Sequence, residues 1–442
     1  MTDLENVAQV RVGDGRGVER LVCHPRLPLI AGLEAERPAV RVWGREAGEL
    51  RELGSVGVES EAYDDAFGWN RHKRTPAVAW HPVQPLLMVA NEDGTVRWTP
   101  AGAAGLTGVS GVTGVSGVTG VAGIADPGGV PPTASYDRLA FSPDGRTLWA
   151  TPSSDGGDDA WERSDVLDLA SGTVSTGPRW DTGIAEHPGG GLVMTLSSDQ
   201  GATHGLFARV DQETTPAAMR VLRRALILDA DGYETPVFSA DGRHFAVRGN
   251  AYGNSLAVFA FPSLRRILAT TLGEPGPGYP YPPEWLAQMR AWSSHNIAFG
   301  TRPGVLWVGT PTGALVEIDL EAQHAVEHDV LAGARVSALA ATATGELVVA
   351  GGGGELLLLT ARSGSAESTA AYGDTAASAV TAFLDATTEV PDDGGDPEPH
   401  LVVTDGARDW EPDDLETVVT ATGTDPTWLR LRAAINSADT AP

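Results

Sequence analysis

Short apolar runs alternate with polar turns along most of this chain, and the alternation repeats as a unit. The runs hold about four to seven residues, are rich in Val, Leu, Phe and Trp, and are bounded by Pro, Gly, Asp and Ser. The clearest units, residues 21–43 and 75–98, each predict a strand, a His-Pro turn, a second strand, a polar turn and a third strand that ends in Trp. Such a unit cannot bury its own apolar faces, so neighbouring units are expected to stack.

Eight units are recognised when the turn after each first strand is used as the marker. Successive markers are 41 to 63 residues apart, and the shortest steps fit a four-stranded propeller blade of roughly 40–45 residues, so the longer steps imply insertions. The weakest unit is 378–410. Since no long segment has sustained helical periodicity, an all-β chain is predicted. The markers are Pro25, Pro82, Pro143, Pro188, Ala240, Pro303, Thr344 and Ala386.

The motifs AVRVW (39–43), EDGTVRW (92–98) and AFSPDGRTLWAT (140–151) resemble those of the WD40-type β-propeller family, and the resemblance covers residues 21–410. It implies a single closed propeller of eight four-stranded blades, with seven as the alternative, in which the N-terminal strand completes the last blade. Two features of the family are missing. The Gly-His dipeptide is absent, and Gly44 and Thr99 stand where Asp follows the strand-ending Trp.

The resemblance also predicts where the outer strands, the insertions and the tail lie. Outer strands are expected at 7–12, 50–53, 266–272 and 325–330. Residues 1–412 then form the propeller, with insertions at 54–75, 101–135 and 273–292, and the tail 413–442 is expected to carry one short helix at 426–436. The glycine-repeat segment 102–124 lacks the proline of collagen and is expected to be a flexible loop, with one strand passing along the second blade as the alternative.

Composition narrows the possible partners. The 442 residues include 31 basic and 58 acidic side chains, giving a net charge of −27 that disfavours nucleic acid and anionic membranes. The basic stretch 71–74 is expected to be a solvated loop, with contact to an acidic partner as the alternative. A single Lys among the 31 basic residues is typical of a GC-rich coding sequence and hints at a bacterial origin.

Cys23 is the one cysteine, so no disulfide forms within the chain, which fits a reducing compartment. It lies in an apolar strand and is expected in the core. The N-terminus shows no signal-peptide pattern, and no apolar run is long enough to span a membrane. A cytoplasmic location is therefore expected.

The insertions supply the main functional clue. In WD40 propellers the loops joining the second strand to the third, and the outer strand to the next blade, open on one face, and most insertions here fall in these two classes. Loops on a rigid scaffold often carry function, and aromatic side chains make good binding anchors. The alternative is that these aromatics only cap the blades. The predicted partner-binding residues are Tyr63, Phe67, Trp69, Tyr279, Tyr281 and Trp285.

Several strings resemble catalytic or metal motifs. The H-x-x-E-H string at 324–328 matches certain zinc peptidases, but it falls on a predicted outer strand, where residues four apart are separated by roughly 13 Å. Asp229–Gly232 lacks the later ligands of a calcium loop and is expected to be a turn. The acidic run 155–159 is interpreted as a solvated loop, and the glycines 351–354 as a hairpin turn.

His24, His81 and His187 each precede Pro at the same turn of successive units, which predicts that they cap the turn and do not form a metal cluster. No catalytic residue, cofactor or metal site is predicted. The leading hypothesis is a non-catalytic scaffold that binds a protein or peptide, with a basic partner favoured by the charge. The alternatives are a lactonase-like hydrolase acting at the central channel, and a structural subunit of a larger assembly.

Overall fold

The alternating runs form antiparallel β-sheets in a computed structural model of the chain. Two compact units are present, and each is discontinuous in sequence. Unit 1 comprises Met1–Arg179, Gln212–Ala218 and Arg290–Glu367, and unit 2 comprises Trp180–Asp211, Met219–Met289 and Ser368–Pro442. The structure describes all residues except 1, 14, 47, 65–68, 93, 101–111, 116–117, 122–135, 155–159, 200, 212, 215, 230–231, 363–369, 392–395 and 440–442.

Strands are the main regular element of the described chain, and helices are fewer. The elements in the first part are β1 (Asp3–Arg11), β2 (Val18–Cys23), β3 (Leu29–Glu34), β4 (Val40–Glu46), β5 (Glu49–Val56), α1 (Trp69–Arg74), β6 (Ala77–Trp80), β7 (Leu87–Asn91), β8 (Gly94–Trp98), β9 (Val112–Val115), β10 (Val118–Val121), β11 (Arg138–Phe141), β12 (Thr147–Thr151), β13 (Ser164–Asp168), β14 (Val174–Gly177), β15 (Ala185–Glu186), β16 (Leu192–Asp199) and β17 (Ala202–Asp211). The remaining elements are β18 (Ala218–Val221), β19 (Arg224–Asp229), β20 (Val237–Phe238), β21 (His244–Arg248), β22 (Ser255–Ala260), β23 (Arg266–Thr271), α2 (Pro283–Ala291), β24 (Ile297–Phe299), β25 (Val305–Gly309), β26 (Ala314–Asp319), β27 (His324–Asp329), β28 (Val336–Ala341), β29 (Leu347–Gly351), β30 (Glu355–Arg362), α3 (Ala370–Asp385), β31 (Val402–Thr404), β32 (Asp409–Trp410), α4 (Pro412–Thr417) and α5 (Thr427–Asp439).

Unit 1 is built from sheets in which consecutive strands pair antiparallel. The four-stranded sheets are β2-β3-β4-β5, β11-β12-β13-β14, β24-β25-β26-β27 and β1-β30-β29-β28; β6-β7-β8 has three strands and β9-β10 has two. The first strands lie side by side in the order β24, β28, β2, β6, β11. The N-terminal strand was expected to complete the last blade; β1 pairs with β30 and so adds a fourth strand to the C-terminal sheet of β28 to β30.

Side chains from adjacent sheets share the cores of unit 1. Trp43 of β4 packs in a cluster with residues of β2 and β29, and Trp98 of β8 packs in a cluster with residues of β3 and β4. Both indoles are almost completely buried. Burial of a large apolar side chain contributes about 1.5–3 kcal/mol, so much of the stability of each sheet depends on its neighbours. The expected outer strands are also present, as β1, β5, β23 and β27.

Unit 2 contains the sheet β20-β21-β22-β23 and a larger sheet, β15-β16-β17-β19-β31-β32, in which β18 also pairs with β17. Strand β31 joins this larger sheet parallel to β19. The prediction that 378–410 forms a separate eighth unit is therefore wrong. Its first half is helix α3, and its second half extends an existing sheet.

Helix α3 forms where a strand was predicted because its buried positions follow helical spacing. Ala376, Val380 and Phe383 are four and three residues apart and face the core, while the intervening residues are alanines and small polar residues that favour or tolerate a helix. The Phe383 ring packs 4.9 Å from that of Phe207 and 5.1 Å from that of Phe261. The helix thus closes the phenylalanine-rich core of unit 2.

The His-Pro turns are held by their histidines, which confirms the structural role predicted for them. In each turn Nδ1 accepts backbone N–H groups from residues two or three positions later: from Arg26 and Leu27 to His24 at 3.0 Å each, and from Gly189 to His187 at 3.0 Å. His81 accepts from two such groups in the same way. Each imidazole therefore stabilises its own turn.

The opposite ring nitrogen of each histidine reaches the corresponding turn of the following sheet. Nε2 of His24 lies 2.9 Å from the carbonyl oxygen of Gln84, and Nε2 of His187 lies 2.9 Å from that of Gly242. His81 makes the equivalent bond to the backbone of Gly145. With Nδ1 accepting, Nε2 must be the protonated donor, so the rings are neutral. The histidines join neighbouring sheets as well as capping turns.

Gly145 and Gly242 allow this approach. Both have positive φ, +73° and +68°, and a Cβ added at either would lie within 2.5 Å of the facing imidazole. A tight Asp-Gly turn requires positive φ at its glycine. The structure adds a second requirement, which is space for a histidine from the preceding turn.

Candidate functional site

The segment of unit 2 that follows β23 carries three of the predicted binding residues on a short helix and the loop before it. Gly273 and Gly278 have φ of +80° and +91°, which lets the loop turn twice before α2. Pro283 begins the helix, where its missing N–H is not needed, and Glu284 follows in the first turn, where a negative charge is favourable. The helix then holds Trp285 at a fixed position.

The three aromatic rings form a series that runs from the interior to solvent. Trp285 is 7% exposed, and its Nε1–H donates to the carbonyl oxygen of Glu274 at 3.1 Å. The Tyr281 ring stacks on it, with 4.9 Å between centroids and 23° between planes. Tyr279 meets Tyr281 edge to face at 6.2 Å and is 90% exposed. The outermost ring therefore rests on a fixed aromatic base.

A fourth aromatic residue, Tyr252, belongs to the same surface. It is 63% exposed and lies on the loop between β21 and β22. Ser255 pairs with Thr271, so this loop and the loop after β23 leave the sheet at the same end. A Cβ added at Gly276 would lie within 4 Å of both the Trp285 ring and the carbonyl oxygen of Tyr252. We name Tyr252, Tyr279, Tyr281 and Trp285 the aromatic platform.

Buried polar contacts hold the Tyr252 loop against α2. The Arg248 guanidinium donates to Oδ1 of Asn254 at 2.7 Å, and Nδ2 of Asn254 donates to the carbonyl oxygen of Met289 at 3.1 Å. Arg248 and Asn254 are both almost fully buried. Nothing in a lone Tyr within a polar turn of the sequence indicated that Tyr252 would join the distant aromatics.

The edge of the aromatic platform is acidic. Glu274 and Glu284 flank the rings along the chain, and both are exposed. The sequence from 267 to 289 contains no Lys or Arg. An aromatic ring with nearby carboxylates attracts cations and repels acidic groups.

The second predicted group, in unit 1, is arranged differently. Tyr63 is half-buried, with the Arg71 guanidinium 4.5 Å above its ring, and burial raises the pKa of its hydroxyl to about 12. Its backbone N–H donates to Glu36. Trp69 begins α1, and Phe67 lies outside the described residues. Tyr63 therefore packs under its own insertion and is not presented as Tyr279 is.

The basic stretch 71–74 is helical and its arginines are paired, so the prediction of a solvated loop is wrong. Arg71 forms an ion pair with Glu19, and Arg74 lies 3.4 Å from Glu92. Helix α1 forms because the stretch contains no Gly or Pro and because these carboxylates fix its charged side. The stretch therefore attaches the insertion 54–75 to the rest of unit 1.

A buried carboxylate lies close to that insertion. Glu34, with a fully buried side chain at the end of β3, is 2.5 Å from Nε of Arg41 and 3.5 Å from both Arg16 and Arg37. Arg37 also donates to the carbonyl oxygen of Val58, at the start of the insertion. Three guanidinium groups thus compensate one buried charge and fix the turn between β3 and β4.

A second buried carboxylate is satisfied by neutral donors. Asp165 on β13 accepts hydrogen bonds from the Tyr136 hydroxyl at 2.8 Å and from Ser153 at 2.7 Å. It also accepts from Ser154 N–H at 3.0 Å. Burial, followed by the hydrogen bond to Asp165, raises the pKa of Tyr136. This network joins three parts of one sheet. The sequence, which lacks the WD40 dipeptides, did not predict it.

The structure describes the remaining motifs in part. His324–His328 lies on strand β27, as predicted, with His324 exposed and Nε2 of His328 3.0 Å from a carboxylate oxygen of Glu317. Asp229 ends β19 and accepts the backbone N–H of Trp428. Asp231 and the acidic run 155–159 lie outside the described residues.

The glycines 351–354 form the turn between β29 and β30, as predicted, and Gly354 has φ of +84°. Cys23 ends β2 and packs partly buried against a core cluster, and burial raises the pKa of its thiol to about 12. Such a thiol is protonated and unreactive near neutral pH. It is a structural residue.

Among the described residues, no three His, Cys, Asp or Glu side chains gather closely enough to hold a metal ion. No helix in the described part of the chain is both long and apolar enough to cross a membrane. A scan against protein-family models found no match for this sequence, and a search of curated proteins also found none.

Proposed function

We propose that this protein is a non-catalytic scaffold, a WD40-like β-propeller, that binds a protein or peptide through the aromatic platform of unit 2. The observation that carries the proposal is the ring series. Tyr279 is 90% exposed, yet it rests on Tyr281, which in turn rests on a buried, hydrogen-bonded Trp285. A large aromatic ring that is both exposed and held in this way is well placed to contact a partner.

The physical case rests on preorganisation. Ordering a mobile side chain on binding costs about 0.5–1.5 kcal/mol, and the stacked rings have already lost that freedom. Tyr and Trp are enriched among residues that dominate binding energy. Tyr252 widens the surface from a second loop. The net charge of −27 favours a basic partner.

Several features support the propeller part of the proposal. The first strands of five sheets lie side by side within unit 1, and β1 completes the sheet of β28 to β30. Seven sheets of three or more strands occur among the described residues, which agrees with a seven-bladed ring. A cytoplasmic location belongs to the same proposal. The hydrolase and assembly-subunit alternatives stay predictions.

The test is capture of partners from the source cell by the intact protein and by a Tyr252→Ala/Tyr279→Ala variant, quantified by mass spectrometry. Both side chains are mostly exposed, so the variant is expected to fold normally. Trp161→Ala is the matched control, since Trp161 is another exposed aromatic residue, 47% exposed, but lies in unit 1.

We expect partners that are recovered by the intact protein and the control and are depleted with the double variant. Equal recovery by all three proteins contradicts the proposal that the aromatic platform is the binding surface.

A further inference from the structure

We infer that the aromatic platform recognises an arginine side chain of its partner, with the guanidinium stacked on Tyr279 and its charge balanced by Glu274 and Glu284. The inference rests on the proposed function and deepens it by naming the chemistry of the ligand. Its starting point is the combination of a presented ring and an acidic edge within a single short segment.

The geometry leaves the Tyr279 ring accessible to a cation. It touches Tyr281 edge to face at 88°, and the side chain is 90% exposed. A cation within about 6 Å of a ring centroid is attracted by the electron-rich face. Tyr281 contributes to the surface, while Trp285 below it has one face covered by the Tyr281 ring and its N–H occupied by Glu274.

Two carboxylates of the same segment supply the negative charge that the inference requires. The carbonyl of Glu274 is bonded to Trp285, so the residue lies beside the ring series, and Glu284 directly precedes Trp285 at the start of α2. Both carboxylates are exposed and available to a long basic side chain. With no basic residue between 267 and 289, the chain supplies no cation of its own along this segment.

Arginine fits this surface better than lysine. A guanidinium is planar, weakly hydrated and able to stack while its edge donates to carboxylates, whereas an ammonium is a strongly hydrated point charge. The protein itself uses such stacks: the Arg408 guanidinium lies 3.7 Å from the ring centroid of Trp410 in unit 2, and Arg71 covers Tyr63 in unit 1. The aromatic platform offers the same pairing to a partner.

The test uses three fluorescent peptides of identical Gly-Ser background, each with three arginines, three lysines or three citrullines, and measures Kd by anisotropy on the full chain. Citrulline keeps the planar shape and removes the charge. We expect the arginine peptide to bind about fivefold or more tighter than the lysine peptide and the citrulline peptide to bind weakest.

Variants locate the site. Tyr279→Ala is expected to weaken the arginine peptide about tenfold, while Tyr279→Phe stays within about twofold because the ring is kept. Glu274→Gln/Glu284→Gln is expected to weaken binding and reduce its dependence on salt. Trp161→Ala is the control and is expected to bind like the wild type.

The inference is overturned if the arginine and lysine peptides bind with equal affinity, or if Tyr279→Ala leaves the Kd unchanged. Either result would mean that basic peptides are attracted only by the overall negative charge of the protein. The proposed function has a separate outcome. If partner capture depends on Tyr252 and Tyr279 but the arginine peptide fails these tests, the scaffold stands and arginine recognition is wrong. If capture is independent of both tyrosines, the proposed function itself fails.

Discussion

Acidification is expected to weaken the fold through His187, and the size of the effect follows from its surroundings. The imidazole is fully buried, accepts the Gly189 N–H at 3.0 Å and donates to the Gly242 carbonyl at 2.9 Å. The bond from Gly189 requires an unprotonated Nδ1, whereas the bond to Gly242 could also be made by the charged ring, and burial outweighs it. Burial therefore lowers the pKa of His187 to about 4 in the folded protein, against about 6.5 in the unfolded chain.

The direction in which stability changes with pH follows from proton binding. Above pH 6.5 both states are neutral and the stability is fully present; as the pH falls toward 4 the unfolded chain binds a proton that the folded protein excludes. Between pH 7.5 and pH 5 the loss from His187 alone is about 2 kcal/mol. His24 and His81, whose pKa values burial also lowers, add losses of the same sign.

The assay compares urea unfolding at pH 7.5 and pH 5 for the wild type and His187→Gln. The variant keeps a donor for Gly242 and loses the acceptor for Gly189, so we expect it to be about 1–3 kcal/mol less stable at pH 7.5. Because glutamine does not titrate, its further loss on going to pH 5 is expected to be about 2 kcal/mol smaller than that of the wild type.

His324→Gln is the matched control, since His324 is exposed on β27. Its free energy of unfolding at pH 7.5 is expected to stay within about 0.5 kcal/mol of the wild-type value. If His187→Gln loses as much stability between pH 7.5 and pH 5 as the wild type does, the reasoning about a neutral, doubly bonded imidazole is refuted.

Three further predictions concern packing and charge, each measured as the free energy of unfolding. Gly189→Ala is expected to cost about 2 kcal/mol or more, because its Cβ would lie 2.5 Å from the backbone of α3, whereas Gly373→Ala on the open side of that helix is expected to stabilise by about 0.5–1 kcal/mol. Phe383→Ala is expected to cost about 3–5 kcal/mol, because Phe383 is fully buried. Thr381→Ala, at an exposed position of the same helix, is expected to change the stability by less than about 0.5 kcal/mol. Glu34→Gln is expected to cost about 3 kcal/mol, because three guanidinium groups lose their buried counter-charge. A neutral or stabilising Gly189→Ala variant, equal costs for Phe383→Ala and Thr381→Ala, or a neutral Glu34→Gln variant would each contradict the corresponding contact.

The repeat made most of the sheet architecture predictable. Alternation of apolar and polar residues sets which face of a strand is buried, and the turn residues set where strands end. Residues 325–330 were predicted as an outer strand and form β27, and the shared His-Pro turn correctly indicated a structural role. These features are local, so sequence spacing alone carries them.

The errors arose where contacts between distant residues decide the outcome. Val380 and Phe383 could belong to a strand or to a helix until the phenylalanine core that they contact is known. Arg71 pairs with Glu19, 52 positions earlier, and no local pattern shows that pair. Tyr252 joins the aromatic platform through the sheet register, which the sequence does not reveal. Tyr279 is exposed and Trp285 is buried, although the sequence predicted the same role for both as aromatic residues of a loop.

The most direct test of the central claim is hydrogen–deuterium exchange of the protein alone and in complex with a captured partner. Residues 273–282 are largely exposed and without regular secondary structure, so their amides are expected to exchange quickly in the free protein. The account predicts that the partner slows exchange in 273–291 and 250–254, the two segments of the aromatic platform. Unchanged exchange in both segments, with protection elsewhere on the described chain, would contradict it.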